Sequence, residues 1–465
     1  MDRTPALPLL LALLLALAAA PAARATEVKS ILRLQGAADL RHDEAFEDHW
    51  DARSQLDVSA EGRLGGPWRW RLEGRIQGDS FGDGGFFGRG DTRNDVDLDL
   101  RDTYLRYEND RFAVTVGDQI VKWGKMDELI LTDNVNPQDL DQFVIPWLDD
   151  RKLAQPMVRV EGFLGGTTVE LLLLPRPFIH RIPFFDSDWA LFRHNREAGA
   201  AAAAADTEVA RRFRELGVAV DAPGWGDTEV GARLRTTVAE VDLAVDALVY
   251  HQRFPVFRGD AASLAALFDP EATAAALADP ATGTLARAAL LAADPQVRAE
   301  YPWVVTVGGD LETTLGDYGV RAEVARTFGA QYQGQAEDGT VTVYTADQTL
   351  LGVGADLTYD AFYGNLQLVQ QWVEESGSLL FVGKQAATLV ATLQYDLLAG
   401  TLTPALYAAW DLGDDASYLR PRVEYKVNDH LTVEAGLELF TGDKHTALGS
   451  FTANDQAYLL ATIGF

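Results

Sequence analysis

The chain has 465 residues, a formal charge of −29 and no cysteine. That charge excludes nucleic acid and other polyanions as non-specific partners, and the missing cysteines exclude a disulfide framework. After residue 25 no apolar run approaches the ~20 residues that a membrane-spanning helix needs.

The N-terminus reads as an export signal. Leu7 to Ala20 is rich in Leu and Ala, and Ala23-Arg24-Ala25 fits a small-x-small cleavage site. Residues 1–25 are therefore expected to be a cleaved signal peptide, with 26–465 forming one unit in the bacterial outer membrane.

From residue 52 onward the dominant signal is alternation of period two. Leu56, Val58 and Ala60 alternate with Arg53, Asp57 and Glu61. After the Gly65-Gly66-Pro67 turn, Trp68, Trp70, Leu72 and Ile76 alternate with Arg69, Arg71, Glu73 and Arg75. The apolar parity carries no charge and the other parity is densely charged. In a membrane barrel the first faces lipid and the second lines the lumen. The segment 95–107 switches parity, which predicts a bulge near Asp102.

Short turns fall near 65–67, 109–110, 165–166, 238–239, 315–317, 360–361, 398–400 and 428–430. Long connections fall near 80–94, 122–155, 175–227, 251–301, 331–348, 375–384 and 442–453, with modest ones near 43–48 and 412–416. This alternation predicts an all-β fold: a transmembrane antiparallel β-barrel of about 16–18 strands, with short periplasmic turns and longer external loops. Two external insertions read as helical, near 197–216 and 260–299. The second holds the Asp-Pro steps at 269–270, 279–280 and 294–295, where Asp caps and Pro opens a helix. Ala457, Leu459, Ala461, Ile463 and Phe465 end the chain on one parity. That ending resembles the C-terminal signal read by the barrel-assembly machinery. The surrounding partners expected are outer-membrane lipid and lipopolysaccharide.

The lumen-lining residues expected are Arg53, Asp57, Arg69, Arg71, Glu73, Arg75, Arg159, Glu161, Arg233, Arg235, Arg420, Arg422, Glu424, Glu434 and Glu438. They read as cross-strand ion pairs, as a transverse field for polar solutes, or as both. The stretch 80–99 contains Asp83, Asp91, Asp95, Asp97 and Asp99, but its spacing does not fit a calcium loop, and it reads as a glycine-rich loop. His180, His194, His251, His430 and His445 show no zinc spacing. No metal, cofactor or catalytic group is expected, and the chain does not read as an enzyme.

One connection stands apart: 118–156, inserted after the fifth strand. Trp123, Phe143 and Trp147 are candidates for an apolar constriction. Asn134, Asn136, Asp139 and Asp141 are candidates for its polar edge, with Gly124 and Pro137 shaping the chain. The alternative is a packed internal plug. The stretch also carries a resemblance. Gly117, Gln119, Trp123, Gly124, Asp127, Val135, Asn136, Pro137, Asp139, Pro146 and Asp149 match the pattern of the outer-membrane proteins of domain-of-unknown-function family 1302. RDTYLRYENDRFAVTVGDQ before it and DTEVGARL at 227–234 also fit, so family features cover about residues 30–250. The resemblance implies a porin-like barrel that moves hydrophobic or lipidic compounds beside an inner-membrane exporter. The residues themselves leave open a channel for small solutes and a non-conducting structural barrel.

Overall fold

The computed structural model describes residues 24–41, 50–79, 97–185, 187–193, 195–375, 377–443 and 446–465. Residues 1–23, most of the segment expected to be a signal peptide, and most of the glycine-rich stretch, including Asp83, Asp91 and Asp95, lie outside the described residues, as do His194 and His445.

Eighteen antiparallel strands close into a barrel. They are β1 (Arg24–Asp39), β2 (Trp50–Gly65), β3 (Trp68–Asp79), β4 (Asp97–Leu100 continued as Thr103–Glu108), β5 (Phe112–Gln119) and β6 (Gln155–Leu164). Next come β7 (Thr167–Leu174), β8 (Glu229–Val238), β9 (Val241–His251), β10 (Trp303–Leu315), β11 (Tyr318–Gln335) and β12 (Val341–Tyr359). The wall ends with β13 (Phe362–Val373), β14 (Gln385–Tyr395), β15 (Leu402–Asp411), β16 (Ala416–Lys426), β17 (Leu431–Thr441) and β18 (Gln456–Gly464). Each strand pairs with the next, and β18 returns to β1 from Asp39↔Gln456 to Ile31↔Gly464. Closure leaves no unpaired edge in lipid, where every exposed backbone N–H would go unsatisfied.

The two faces separate as the alternation requires. Outward residues such as Val58, Leu171, Val245, Val307, Val353, Leu366 and Val423 are exposed. Inward residues such as Arg75, Glu161, Arg233, Arg420 and Glu438 are buried. Two aromatic bands flank the apolar belt. Trp68, Phe112, Tyr318, Tyr359, Tyr395 and Tyr425 stand exposed at the short-turn ends, and Trp303, Phe328, Trp372 and Trp410 stand exposed toward the long connections. Such girdles mark the two interfaces of a bilayer.

The predicted break near Asp102 is present. Pairing of β4 with β3 lapses between Leu100 and Thr103, and the Asp102 carboxylate turns to accept from Ile120 N at 2.9 Å. Three expectations need correction. The connection near 331–348 is only 336–340, because pairing continues above the apolar belt to Gln335↔Val341. Its partners there are Gln, Thr and Tyr, whose polarity made the extension read as loop. The insertion near 197–216 is two helices, α2 (Asn195–Ala202) and α3 (Thr207–Glu215), with a four-residue helical turn α1 (Leu148–Arg151) preceding them in the chain. Asp206 splits the pair by capping Glu208 N and Val209 N. In the insertion near 260–299, α4 (Ala261–Phe268), α5 (Pro270–Ala278) and α6 (Gly283–Ala292) are helical, but only Asp269-Pro270 opens a helix: Asp279-Pro280 forms a turn ahead of α6, and the last Asp-Pro step opens a strand, Gln296–Glu300. That strand pairs with Gly217–Asp221 and Val256–Arg258. The two insertions thus pack as one cap, with Ala200, Val209, Phe213 and Leu216 of the first buried against Ala266 and Leu290 of the second.

Candidate functional site

The inserted segment lies between β5 and β6, at 120–154, because Asp118, Gln119, Gln155 and Pro156 belong to the wall. Its contacts begin at β7. The Trp123 indole Nε1 donates to the Glu170 carboxylate at 2.7 Å, and the ring sits among Val121, Val135, Leu172, Leu248 and Tyr250. Gly231 on β8 makes room: a Cβ there would lie 2.8 Å from the indole. Trp123 is 1% exposed, so it anchors the segment to the wall and does not face open space.

From Gly124 the chain turns toward β11. Gly124 has φ +89°, and a Cβ would lie 2.2 Å from the Ile130 side chain and 2.6 Å from Glu323 Oε1. Only glycine fits that position. Glu323 then accepts four backbone amides: Lys125 N at 2.5 Å and Met126 N at 2.7 Å on one oxygen, Leu131 N at 2.7 Å and Thr132 N at 3.4 Å on the other. A carboxylate is suited to this, since it only accepts. Beyond it, Asp127 pairs with Arg321 at 2.9 Å and accepts from Asn365 at 2.6 Å, while Glu128 accepts from Thr392 at 3.1 Å.

Asn136 ties the two arms of the segment together. Its Oδ1 accepts from Val121 N at 2.7 Å, and its Nδ2 donates to Gln119 O at 2.9 Å and Leu153 O at 2.8 Å. At 2% exposure it is an internal clamp, not a polar edge. Pro137 extends the clamp through its carbonyl, which accepts from Leu153 N at 2.8 Å. Replacing Asn136 with alanine leaves three backbone groups unpaired. We expect a loss of about 3 kcal/mol or more in docking of the segment, read as faster hydrogen exchange across 120–154 with unchanged barrel mobility in detergent gels.

The return arm crosses to the other side. Asn134 donates to Leu131 O at 3.2 Å, and its carbonyl accepts from Arg253, which also pairs with Glu229 at 2.7 Å. Asp139 pairs with Arg181 at 2.7 Å, and Asp141 adds to the negative potential around that guanidinium. Phe143, at φ +49°, packs on Phe451 with centroids 4.4 Å apart. Gln142 accepts from Arg53 at 2.7 Å, Ile145 O accepts from Arg420 at 2.8 Å, and Asp150 pairs with Arg75 at 2.9 Å. The Trp147 ring lies under Arg420 and Arg422, at 4.5 and 5.1 Å.

The wall charges named in the sequence form interlocked pairs. Asp57 bridges Arg75 and Arg33, both at 2.7 Å. Arg71 joins Glu61 and Glu73. Arg159 joins Glu161 and Glu170, Arg235 reaches Glu161 at 3.5 Å, and Arg233 lies between Asp246 and Asp310. Arg420 and Arg422 share Glu434, and Arg420 also faces Glu438 at 3.6 Å. Glu424 sits directly across from Glu434, and Arg69 is exposed at the short-turn end.

His180 joins the segment to the cap region. Its Nδ1 accepts from Gln138 N at 2.7 Å, so the imidazole is neutral. Burial, with the Arg253 and Arg151 charges nearby, pushes it down to about 3. In the unfolded chain the ordinary value is about 6.5, so this contact is at full strength above that pH. It weakens as pH falls toward 3, by about 1.4 kcal/mol per unit. We expect proteolysis of 120–154 to accelerate between pH 7 and 5, and the acceleration to be smaller in His180→Gln, which keeps an acceptor but cannot charge.

Sequence reasoning placed Glu323 only among the lumen-facing charges, and it missed Glu170, Arg253 and the buried Asp133–Lys152 pair, in which Lys152 Nζ donates to Asp133 Oδ2. Nothing local to these residues distinguishes them from other inward charges.

A closed strand wall, an apolar exterior between two aromatic girdles and a charged interior define a porin-like outer-membrane β-barrel. The family profile described as "Protein of unknown function (DUF1302)" matches residues 77–465. The chain belongs to that family, and the match extends well past the residues in which its features were legible. None of the curated proteins matches the chain. Among solved structures, the outer membrane channel DcaP of Acinetobacter baumannii is similar at 10% identity and TM-score 0.42, covering 96% of this chain and 99% of that one. OccAB1 of the same organism has 9% identity and TM-score 0.49, covering 95% and 96%. A BenF-like porin from Pseudomonas fluorescens Pf-5 has 10% identity and TM-score 0.49, covering 95% and 98%.

Proposed function

We propose that the protein is a channel for small solutes whose bore is set by the segment 120–154, lying across the lumen as a fixed constriction. What supports this reading most is the span of its anchors. Trp123 is bonded to β7 and Ile145 to β16, halfway round the barrel. Likewise the amides of 125–132 are bonded to β11, while Gln142 is bonded to β2. A segment held at opposed points of a ring narrows what passes. Phe143 and Trp147 contribute from the return arm, and Trp123, Asn136 and Gly124 act by holding its path.

Planar-bilayer recording tests the proposal. Wild-type protein carries discrete current steps, and a variant with residues 125–131 replaced by a short Gly-Ser linker carries larger ones. Absence of current from both proteins, each shown to be folded by gel mobility, overturns it. Current that is identical in the two removes the segment from the role of constriction.

A further inference from the structure

Most cations inside the barrel are paired. Arg151 is an exception on the constricting segment itself. Among the described residues its side chain makes no hydrogen bond or ion pair, and its Nε is buried without a partner. Burial lowers its proton affinity, an effect only partly offset by the nearby Tyr407, Tyr418 and Glu128. The α1 turn carries Arg151 beside Trp147, its amide donating to Trp147 O at 3.1 Å. Trp147 meets Tyr407 edge-on at 6.1 Å, and Tyr407 lies 5.8 Å from Tyr418. The buried Tyr418 hydroxyl also has no partner, and neither does Arg422 Nε, whose guanidinium lies over the Trp147 ring. Three unused donors therefore belong to residues that adjoin or form this run of rings: Arg151 one helical turn from Trp147, Arg422 over its ring, and Tyr418 at the end of the run.

Glu128 is the acid that faces this group. Its carboxyl is raised by burial, partly offset by the Thr392 hydroxyl, and it remains beyond ion-pair distance of Arg151. An unpaired guanidinium with orphan donors beside it is costly unless an anion completes it. The flanking rings present apolar surface to the body of such an anion.

We propose that the Arg151–Trp147 turn and the facing β15–β16 wall form a recognition subsite for small organic carboxylates with a flat apolar body. The inference rests on the channel reading, because it places the subsite at the constriction, and it names the solute class.

Benzoate is the probe, with benzyl alcohol and acetate as controls. Calorimetry on the detergent-solubilised protein shows benzoate binding, weaker acetate binding and none for benzyl alcohol. Arg151→Gln weakens benzoate binding roughly tenfold or more, the value of one charged hydrogen bond, and Arg151→Lys restores part of it. Tyr418→Phe gives a smaller loss. In bilayers, benzoate interrupts the wild-type current and interrupts that of Arg151→Gln less. Benzoate binding that is absent, or unchanged in Arg151→Gln, overturns the inference even if the barrel conducts. Arg151-dependent binding in a barrel that carries no current keeps the subsite and overturns the channel.

Discussion

In the Glu323→Gln variant, trypsin is expected to cut the folded barrel at Lys125, a bond expected to be protected in the parent protein. Glu323 is 2% exposed and serves four amides of the segment. The carboxamide offers one acceptor oxygen, and its NH2 group is turned toward two backbone donors. Each hydrogen bond to a charged acceptor contributes about 1.5–3 kcal/mol, so losing two raises the undocked population roughly 100-fold or more. The wall keeps its ladder: Glu323 lies within β11, paired with Gly352 in a register that runs from Tyr318 to Thr327, and its carboxylate serves the segment's amides. The expected pattern is faster cleavage, larger and noisier conductance, and unchanged gel mobility. Protection equal to the parent would show that the anchors at Trp123 and Asn136 hold the segment without β11.

Lys152→Met is expected to be as damaging, and a second substitution to repair it. Lys152 and Asp133 have side chains 2% and 3% exposed, and they join the two arms of the segment from inside. Removing the lysine leaves a buried carboxylate whose remaining partner is the Trp123 amide at 3.4 Å. Breaking such a pair costs about 3–5 kcal/mol, whereas replacing both members is often nearly neutral. Hydrogen exchange over 120–154 should therefore rise sharply in Lys152→Met and fall back in Lys152→Met/Asp133→Asn. If the double variant exchanges as fast as the single, the two residues do not act as a unit.

The wall was legible because a strand exposed to lipid on one side and to charge on the other writes its geometry into every second residue. Val423 and Arg422 declare their faces without reference to any neighbour. The kink at Asp102 was legible for the same reason, as a change of parity from Leu98 and Leu100 to Leu105 and Tyr107. Where that contrast fades, legibility fades too. Tyr332 and Tyr344 pair above the apolar belt, and nothing in them separates a tall hairpin from a loop. The site was legible as a place and not as a set of roles. Trp123 and Asn136 stood out by type, but Glu170, the partner of Trp123, lies on a different strand, and Leu153, a partner of Asn136, lies on the far arm of the segment. Glu323 meets Met126 across 197 residues, a pairing that no local pattern encodes.

That separation also sets an order of events. The segment 120–154 is synthesised and exported before β7, β11, β13, β14 and β16, the strands that carry Glu170, Glu323, Gln367, Thr392 and Arg420. Contacts so distant in sequence form late, after the cost of closing long loops has been met. The nascent wall must therefore carry the segment without its partners on the later strands, with Phe143 and Trp147 lacking the rings of Phe451 and Tyr407 that they pack on. Docking of the segment is therefore expected to wait on the strands that receive it, so closing the wall and completing the constriction are separate events.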